Sequence, residues 1–302
     1  MSNGSRHAAY LLPETVYGTT PVTGTFAAIR HTGFSIGTST KTLQSAEIRS
    51  DRQIADYRLG SNHLAGAIDV EPAFDATFDS MLEATLCGTW ASGVLKAGTT
   101  RRSFSILRNF SDLASGNPFH LLSGVEFGGL KLTCGADAMV QASFDCVGQA
   151  LTLAATAPAG PTLGTPSTTS PMDAFSGTLT EGGSTVNIVT GVDLTLHNGI
   201  APRFIMGSKN TIRPAIGRSN LSGKITVYFE DTTLLAKFLG ETSSTLDFFI
   251  QAGTHSYEFK LPNIKYTGGQ PDVKGEGPIT LTMPFQAVYG TSDASQIVIT
   301  KV

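Results

Sequence analysis

Alternation of apolar and polar residues marks two similar segments of the chain. Residues 64–70 read Leu-Ala-Gly-Ala-Ile-Asp-Val, and residues 221–227 read Leu-Ser-Gly-Lys-Ile-Thr-Val. In both segments the first, fifth and seventh positions are apolar and the positions between them are small or polar. This is the period of a strand with one buried face. Because the pattern occurs twice at a long separation, the sequence predicts an internal repeat.

Each of these strands is followed by a predicted helix. The acidic residues Asp75 and Asp231 can cap the two helices, and Gly88 and Gly240 can end them. Apolar residues at helical spacing lie between: Phe78, Leu82 and Leu86 in the first helix, and Leu234, Leu235, Phe238 and Leu239 in the second. The sequence therefore predicts one amphipathic helix in each half of the chain.

Three further strand-like runs follow the helix in each half, in the same order. They cover residues 103–107, 119–122 and 139–147 in the first half, and residues 246–250, 257–261 and 279–288 in the second. In the last pair of runs we match Phe144 with Phe285. The predicted fold is mainly β, with two tandem β-sandwich or partial-barrel domains and one flanking α-helix in each.

A segment rich in Pro, Thr and Gly separates the two repeats, at residues 156–172. Such a composition suits an extended linker that cannot join the interior of a sheet. The sequence therefore predicts a first domain at residues 1–155, a linker at 156–172 and a second domain at 173–302.

Composition narrows the class of protein. The chain has 302 residues, of which 40% are hydrophobic and only 15% charged, and its 33 glycines favour strands and turns over helical bundles. A formal net charge of −3, with no block of Lys or Arg, argues against a surface that binds nucleic acid tightly. Residues 1–10 lack the apolar core of a signal peptide, and no apolar run is long enough to span a bilayer. We therefore expect a soluble protein, made in a cytoplasm, that does not contact a membrane.

Signals of catalysis and of metal binding are weak. No Walker loop, nucleophile elbow, dinucleotide fingerprint or His-Glu-x-x-His helix occurs, and the six histidines are scattered. The three cysteines Cys87, Cys134 and Cys146 lack metal-type spacing, so we expect buried thiols. Asp69 and Glu71 could form a glycosidase-like pair of carboxylates, but nothing marks a sugar-binding cleft around them. The sequence thus predicts no enzyme and no cofactor.

Two long polar stretches precede the repeated strands, at about residues 39–62 and 197–220. Loops of such length in a compact domain are usually functional. The first carries both charges, at Glu47, Arg49, Asp51, Arg52, Asp56 and Arg58. The second is basic, at Arg203, Lys209, Arg213 and Arg218. This pattern favours salt bridges between neighbouring subunits over a ligand pocket. The alternative is that the charges are only solvated.

Three segments carry a resemblance to a known family. Residues 45–58 (Ser-Ala-Glu-Ile-Arg-Ser-Asp-Arg-Gln-Ile-Ala-Asp-Tyr-Arg), the strand at 66–70 and the opening at 14–21 (Glu-Thr-Val-Tyr-Gly-Thr-Thr-Pro) resemble the major tail tube proteins of siphophages, the long-tailed bacteriophages. The resemblance implies a β-sandwich or partial barrel with a flanking helix. It also implies that inner strands join those of neighbouring subunits in a β-barrel around a DNA channel.

The same resemblance implies how the subunits assemble. In that family the loop before the repeated strand reaches the next ring, so residues 47–58 would be a stacking contact; for the second loop this role follows only from the repeat. Implied partners are further copies of the chain, a tape-measure protein and tail terminator or tip proteins, in a virion assembled in the host cytoplasm. Duplication favours rings of three chains with pseudo-six-fold symmetry over rings of six in which one repeat lines the channel.

A channel that guides DNA must not hold it, so its wall should be neutral or acidic. Asp69 and Glu71 share one face of the predicted strand and are our candidates for groups that face the channel. A carbohydrate- or receptor-binding β-sandwich module of a tail or adhesin is the alternative function. Assembly into hollow filaments distinguishes the two, because a binding module stays a small oligomer.

Overall fold

A computed structural model of the chain describes residues 3–114, 116–174, 178–273 and 275–302, which contain 22 strands and two α-helices. The helices are α1 (Ala76–Leu86) and α2 (Thr233–Leu239), and a short 3-10 helix covers Gly4–Arg6. The first-half strands are β1 (His7–Pro13), β2 (Thr25–Ile29), β3 (Gly33–Phe34), β4 (Gly37–Gln44), β5 (Tyr57–Val70), β6 (Val94–Lys96), β7 (Phe104–Phe110), β8 (Phe119–Gly135), β9 (Gln141–Gly148), β10 (Ala150–Ala154) and β11 (Thr162–Leu163). The second-half strands are β12 (Leu179–Glu181), β13 (Ser184–Thr185), β14 (Val189–His197), β15 (Ala201–Arg203), β16 (Ile212–Ala215), β17 (Asn220–Tyr228), β18 (Ser244–Ala252), β19 (His255–Tyr266), β20 (Gln270–Asp272), β21 (Thr280–Ala287) and β22 (Val298–Lys301). The predicted mainly β fold is confirmed.

The repeated motif forms β5 and β17, and its glycine has a steric reason in both. At Gly66 the φ angle is 147°, and a Cβ atom would lie 2.5 Å from the Ser35 carbonyl oxygen. At Gly223 a Cβ atom would lie 2.4 Å from the Asp193 carbonyl oxygen. Since no side chain tolerates such distances, both strands need glycine where the neighbouring strand crosses closely.

The predicted helix caps hold in part. The Asp75 side chain accepts a hydrogen bond from the Phe78 amide (2.8 Å) at the start of α1, as predicted. The residue in the left-handed conformation at its end is Cys87 (φ 49°), one position before the predicted Gly88. In the second half, Asp231 accepts from the Thr233 amide (2.8 Å), although the cap position of α2 is the next residue.

An outer sheet in each half follows the same antiparallel order. In the first half the order is β2, β1, β7, β8 and β10. In the second half it is β13, β12, β18, β19 and β22. The long strands β8 and β19 leave the outer sheet partway along and continue into a second, inner layer. The hydrophobic core lies between the layers and extends through both halves.

The inner layer is one continuous sheet, which we call the joined sheet. Its first-half strands run in the order β4, β5, β9 and β8, with β3 beside β4 along the same edge of β5. Strands β14, β17, β21 and then β20 with the end of β19 follow in the second half. The halves meet where β8 pairs with β14, with Leu132 opposite Leu194. A ladder of main-chain hydrogen bonds thus unites two similar sets of strands.

The register corrects one match made from the sequence. Phe144 lies opposite Ile68 and Met283 lies opposite Ile225, so Met283 rather than Phe285 is the counterpart of Phe144. Aromatic identity misled the alignment, because apolar residues alternate along both strands and a shift of two positions preserves the buried face.

The segment predicted as a linker is packed against the first half. Strand β11 pairs in parallel with β2, the Arg30 guanidinium donates to the Thr169 carbonyl oxygen, and Met172 is fully buried. The division of the chain into two domains at this segment stays a prediction.

Candidate functional site

The joined sheet has one buried face and one open, polar face. In β5 the side chains of Leu64, Ile68 and Val70 point into the core, so the intervening residues point the other way. Strand registers align the following residues on the open face: Asp69, Lys131, Thr133, Ser143, Asp145, Asp193, Thr195, Lys224, Thr226 and Thr282. The open face is thus a polar wall that runs through both halves.

Charges on the open face are few and of both signs. Lys224 pairs with Asp193 across two strands (Nζ to Oδ2, 3.2 Å), and the Ser143 hydroxyl donates to Asp69 (2.5 Å). Glu71 does not share this environment, because it lies just beyond the end of β5 in a narrow crevice beside Arg30. A surface with balanced charges provides no continuous track for phosphates.

Each end of the joined sheet is a strand edge. At one end, β3 and β4 pair only with β5 among the described residues. At the other end, β20 pairs only with β21 in the described part of the chain. Such edges carry unpaired main-chain donors and acceptors and are ready to pair with another strand.

The loop between β4 and β5, residues 45–56, forms what we call the first arm. Two of its acidic residues are satisfied locally: Asp51 by Arg49 and Asp56 by Arg58, each at 2.8 Å. Both pairs are exposed, as are Glu47 and Arg52. The side-chain hydrogen bond from Arg49 lowers the pKa of Asp51, so this carboxylate stays ionised.

Apolar side chains on and beside the first arm were not among the candidate residues. Ile48 is 98% exposed, and Leu43, Ile54, Tyr57 and Leu59 are each more than half exposed. The two isoleucines within a charged loop were the available signal. A cluster of exposed apolar groups at one end of a protein indicates a contact surface.

The second arm, residues 198–219, contains the hairpin of β15 and β16 and is held against the first half. The Arg203 guanidinium donates to the Arg213 carbonyl oxygen (2.7 Å), which closes the hairpin. The Lys209 carbonyl oxygen accepts from the Asn62 amide in β5 (2.7 Å), so the second arm lies against the strand that follows the first arm. Arg218 is exposed, and Phe204, Ile205 and Met206 form an exposed apolar tip.

A buried carboxylate fixes the second arm. Glu126 in β8 is almost fully buried and accepts from Arg213 of the second arm (Nε to Oε1, 2.7 Å) and from Arg101 (Nε to Oε2, 3.2 Å). Arg101 also donates to the Pro214 carbonyl oxygen (2.8 Å). Sequence reasoning missed this triad, whose only signal was one acidic residue in the apolar strand β8.

Other kinds of site have little support in the described residues. No group of three or more His, Cys, Asp or Glu side chains there could hold a metal ion. All three cysteines are buried and unpaired, and burial raises the pKa of Cys134 to about 12. None of the helices in the described ranges is long and apolar enough to cross a membrane.

The chain matches a known protein family over most of its length. A family model described as phage tail tube protein matches residues 4–287, which include most of both halves and both arms. No curated protein matches the chain significantly.

Proposed function

Since the chain belongs to the phage tail tube protein family and is therefore a structural component of the virion, we propose that its rings stack into the non-contractile tail tube of a siphophage. The joined sheet lines the channel through which DNA passes into the host. The protein acts by assembly rather than by catalysis.

The observation that carries this proposal is the pairing of β8 with β14. Within one chain, the last inner strand of the first half joins the first inner strand of the second half. At one end of the joined sheet, β20 occupies the position in the second half that β8 occupies in the first. At the other end, β3 and β4 occupy the position in the first half that β14 occupies in the second. Repeating the same junction between chains extends the sheet and closes it into a barrel.

Three chains close such a ring with six similar sets of strands. We therefore favour a homotrimeric ring with pseudo-six-fold symmetry over a ring of six chains. The two sequence repeats then correspond to two tail-tube domains, at residues 1–155 and 173–302, and residues 156–172 connect them.

The junction inside the chain predicts the register between chains. Thr195 lies opposite Lys131 at the inner junction. Gly37 is equivalent to Thr195. Gly37 lies opposite Ala65, the residue before Gly66, and Thr195 lies opposite Ser222, the residue before Gly223. Gln270 holds the position of Lys131, since Thr282 and Ser143 are equivalent partners. Gly37 of one chain should thus lie opposite Gln270 of the next.

The open face suits passage of DNA without retention. It carries acidic and basic groups in similar number, and Asp69 lies on it. Since phosphate contacts by Lys and Arg supply most non-specific affinity for DNA, a wall without a basic stripe allows sliding. Glu71, beyond the strand end, contributes to the rim of the channel rather than to its wall.

The arms supply contacts between rings. The charged groups of the first arm and the basic groups of the second arm act together with their exposed apolar residues. By the family resemblance, the tape-measure protein fills the channel during assembly in the host cytoplasm, and terminator or tip proteins bind the end rings.

A pair of cysteines introduced into the full-length chain tests the proposal. The variant Gly37→Cys/Gln270→Cys places two thiols at directly opposed positions, where the Cβ atoms of paired strands are close enough for a disulfide. Mild oxidation of assembled protein should link chains until the ring closes, which gives covalent trimers on a non-reducing gel. Electron microscopy of the same sample should show hollow tubes.

The control pair is Gly37→Cys/Thr226→Cys, because Thr226 lies in the middle of the joined sheet and should stay unlinked. Closure at six chains would contradict the trimer. A small oligomer with no tubes would contradict the tube and would favour the receptor-binding module.

A further inference from the structure

A basic cleft opens at one end of the first-half sandwich, between β1, β7, β8 and β3. Its volume is about 570 Å³. The side chains that give it its character are His7, His31, Phe34, Arg108, Phe110 and His120. The Arg108 guanidinium carbon lies 4.5 Å from the centre of the Phe34 ring and 4.9 Å from that of the Phe110 ring. This arginine is thus held between two aromatic rings.

A chain of hydrogen bonds connects Arg108 with His7 and His31. Arg108 Nε donates to His7 Nε2 (3.0 Å), so His7 carries its proton on Nδ1 and donates it to His31 Nε2 (2.7 Å). His31 then donates from Nδ1 to the Ile29 carbonyl oxygen (3.2 Å). Burial and the nearby Arg108 charge lower the pKa of His7 to about 4, so this imidazole is neutral at pH 7. Arg108 therefore carries a positive charge beside a neutral His7.

The corresponding end of the second-half sandwich is closed from within the chain. The Phe74 ring, just before α1, stacks on His255 at the start of β19 (4.6 Å between centres) and contacts Tyr257 (5.2 Å). In α1, the Asp79 carboxylate accepts from the Tyr257 hydroxyl (2.9 Å) and from the Lys301 ammonium group (2.6 Å). The α1 segment of the first half thus caps the second half.

Positions in the two sandwiches can be matched through a shared irregularity. Strands β7 and β18 each contain a bulge, after Phe104 and after Ser244. Counted from it, Arg108 and its partner His120 stand where Phe248 and Phe259 stack in the second half (5.2 Å between ring centres). The first half thus has an arginine and a histidine where the second half has two phenylalanines.

The segment before the helix is apolar in the first half and acidic in the second half. Counted from the motif glycines Gly66 and Gly223, the counterparts of Ala73 and Phe74 are Glu230 and Asp231. Both acids are exposed, and the hydrogen bond from the Thr233 amide lowers the pKa of Asp231. Leu239 of α2 is 73% exposed, although its counterpart Leu82 in α1 is fully buried. The segment around α2 has a charge and an apolar side chain that nothing in the described chain covers.

We propose that the acidic turn Glu230–Asp231 and α2 of one chain dock on the Arg108 cleft of the next chain, as the α1 segment docks on the second half within each chain. The partner is a second copy of this protein. Where the junction inside the chain is aromatic, the junction between chains is ionic: Asp231, the counterpart of Phe74, lies at the mouth of the cleft, next to the start of β8, within reach of His120 and Arg108. The inference rests on the ring arrangement proposed above, and it adds a contact outside the channel wall.

Reversing the charge of the turn tests this contact. The variant Glu230→Lys/Asp231→Lys should raise the protein concentration needed for tube assembly at least about tenfold, because like charges would then meet at each junction between chains. The control Glu258→Lys changes an acid on the outer face of β19, the opposite face from Tyr257 and its contacts with α1, and should assemble as the unmodified protein does. Assembly of the Glu230→Lys/Asp231→Lys variant at the unmodified concentration would overturn the proposal.

Compensation distinguishes docking from a general effect of charge. Adding Arg108→Asp to the turn variant should restore assembly at least in part; if thermal unfolding shows that this variant does not fold, His120→Asp takes its place. No restoration in a folded variant would overturn the proposal. The disulfide between positions 37 and 270 reports the ring separately: covalent trimers with unchanged assembly of the turn variant would reject the docking contact alone, and absence of trimers would reject the ring.

Discussion

The two arms start from equivalent places in the two halves and are held in opposite ways. The first arm satisfies its own charges through Arg49 with Asp51 and Arg58 with Asp56, and it leaves Ile48 in solvent. The second arm is fixed to the first half by the buried Glu126. Formal charge thus does not tell which loop is free to meet a neighbour; what decides is whether a buried partner exists for it elsewhere in the chain.

Among the variants that test this comparison, Glu126→Gln should lower the free energy of unfolding most. The amide keeps the shape of the carboxylate but removes the counter-charge of Arg101, whose side chain is 22% exposed, and of Arg213, whose side chain is 41% exposed. A hydrogen bond to a charged group contributes about 1.5–3 kcal/mol, and solvent screens the exposed Arg213, so we expect a total loss of about 2–3 kcal/mol. Urea denaturation should show this loss in the free energy of unfolding, and a loss below about 1 kcal/mol would contradict the anchoring role.

A smaller loss should follow from Asn198→Ala at the base of the second arm. The buried Asn198 donates from Nδ2 to the Thr85 carbonyl oxygen in the last turn of α1 (2.6 Å). Removing the donor leaves a buried carbonyl without this partner, which costs about 1–2 kcal/mol. The exposed Asn117→Ala is the control and should unfold at the same urea concentration as the unmodified protein. Equal stability of both variants would refute the contact.

The exposed ion pair of Asp56 and Arg58 should contribute still less to the free energy of unfolding. Asp56→Asn removes the charge that faces Arg58, but both side chains are more than half exposed. Solvent screening limits such pairs to about 0.5 kcal/mol or less. Urea denaturation of this variant and of Glu126→Gln under the same conditions compares how the two arms are held. If both variants lose the same free energy of unfolding, the proposed difference between the arms is wrong.

The smallest effect on stability should accompany the largest effect on assembly. Ile48→Asp and Arg52→Glu alter exposed side chains, so the free energy of unfolding should change by no more than about 0.5 kcal/mol. If the first arm makes the contact between rings, electron microscopy should show short or absent tubes for both. The control Val22→Asp changes an exposed apolar residue outside the arms. Tubes of normal length from Ile48→Asp and Arg52→Glu would contradict the stacking role.

Local features of the fold could be predicted because local chemistry encodes them. The alternation of Leu64, Ile68 and Val70 gave the buried face of β5, and Asp75 gave the start of α1. Asp69 lies on the face of β5 opposite to the core, and its place in the channel wall stays a prediction. Glu71 was grouped with it by periodicity, but the strand ends at Val70, so the alternation no longer applies.

Contacts distant in sequence could not be predicted in the same way. Nothing in β8 or β14 states which edge each will pair with, because main-chain hydrogen bonds are the same for every sequence. The triad of Glu126 draws on residues from three separate parts of the chain. The burial of Met172 within a segment rich in proline shows the same limit, since composition describes flexibility of the free chain and not its packing.

Because β8 and β14 belong to the same chain, their pairing has a kinetic consequence. In a ring of three chains, half of the six junctions form within a chain, where the effective concentration of one half near the other does not depend on dilution. Three chains assemble through two bimolecular encounters, whereas six separate domains would need five, and in both cases the last junction closes within the ring. The order of the nucleation reaction therefore falls. If the ring contains three chains, the repeat within each chain would lower the subunit concentration at which a ring begins to form.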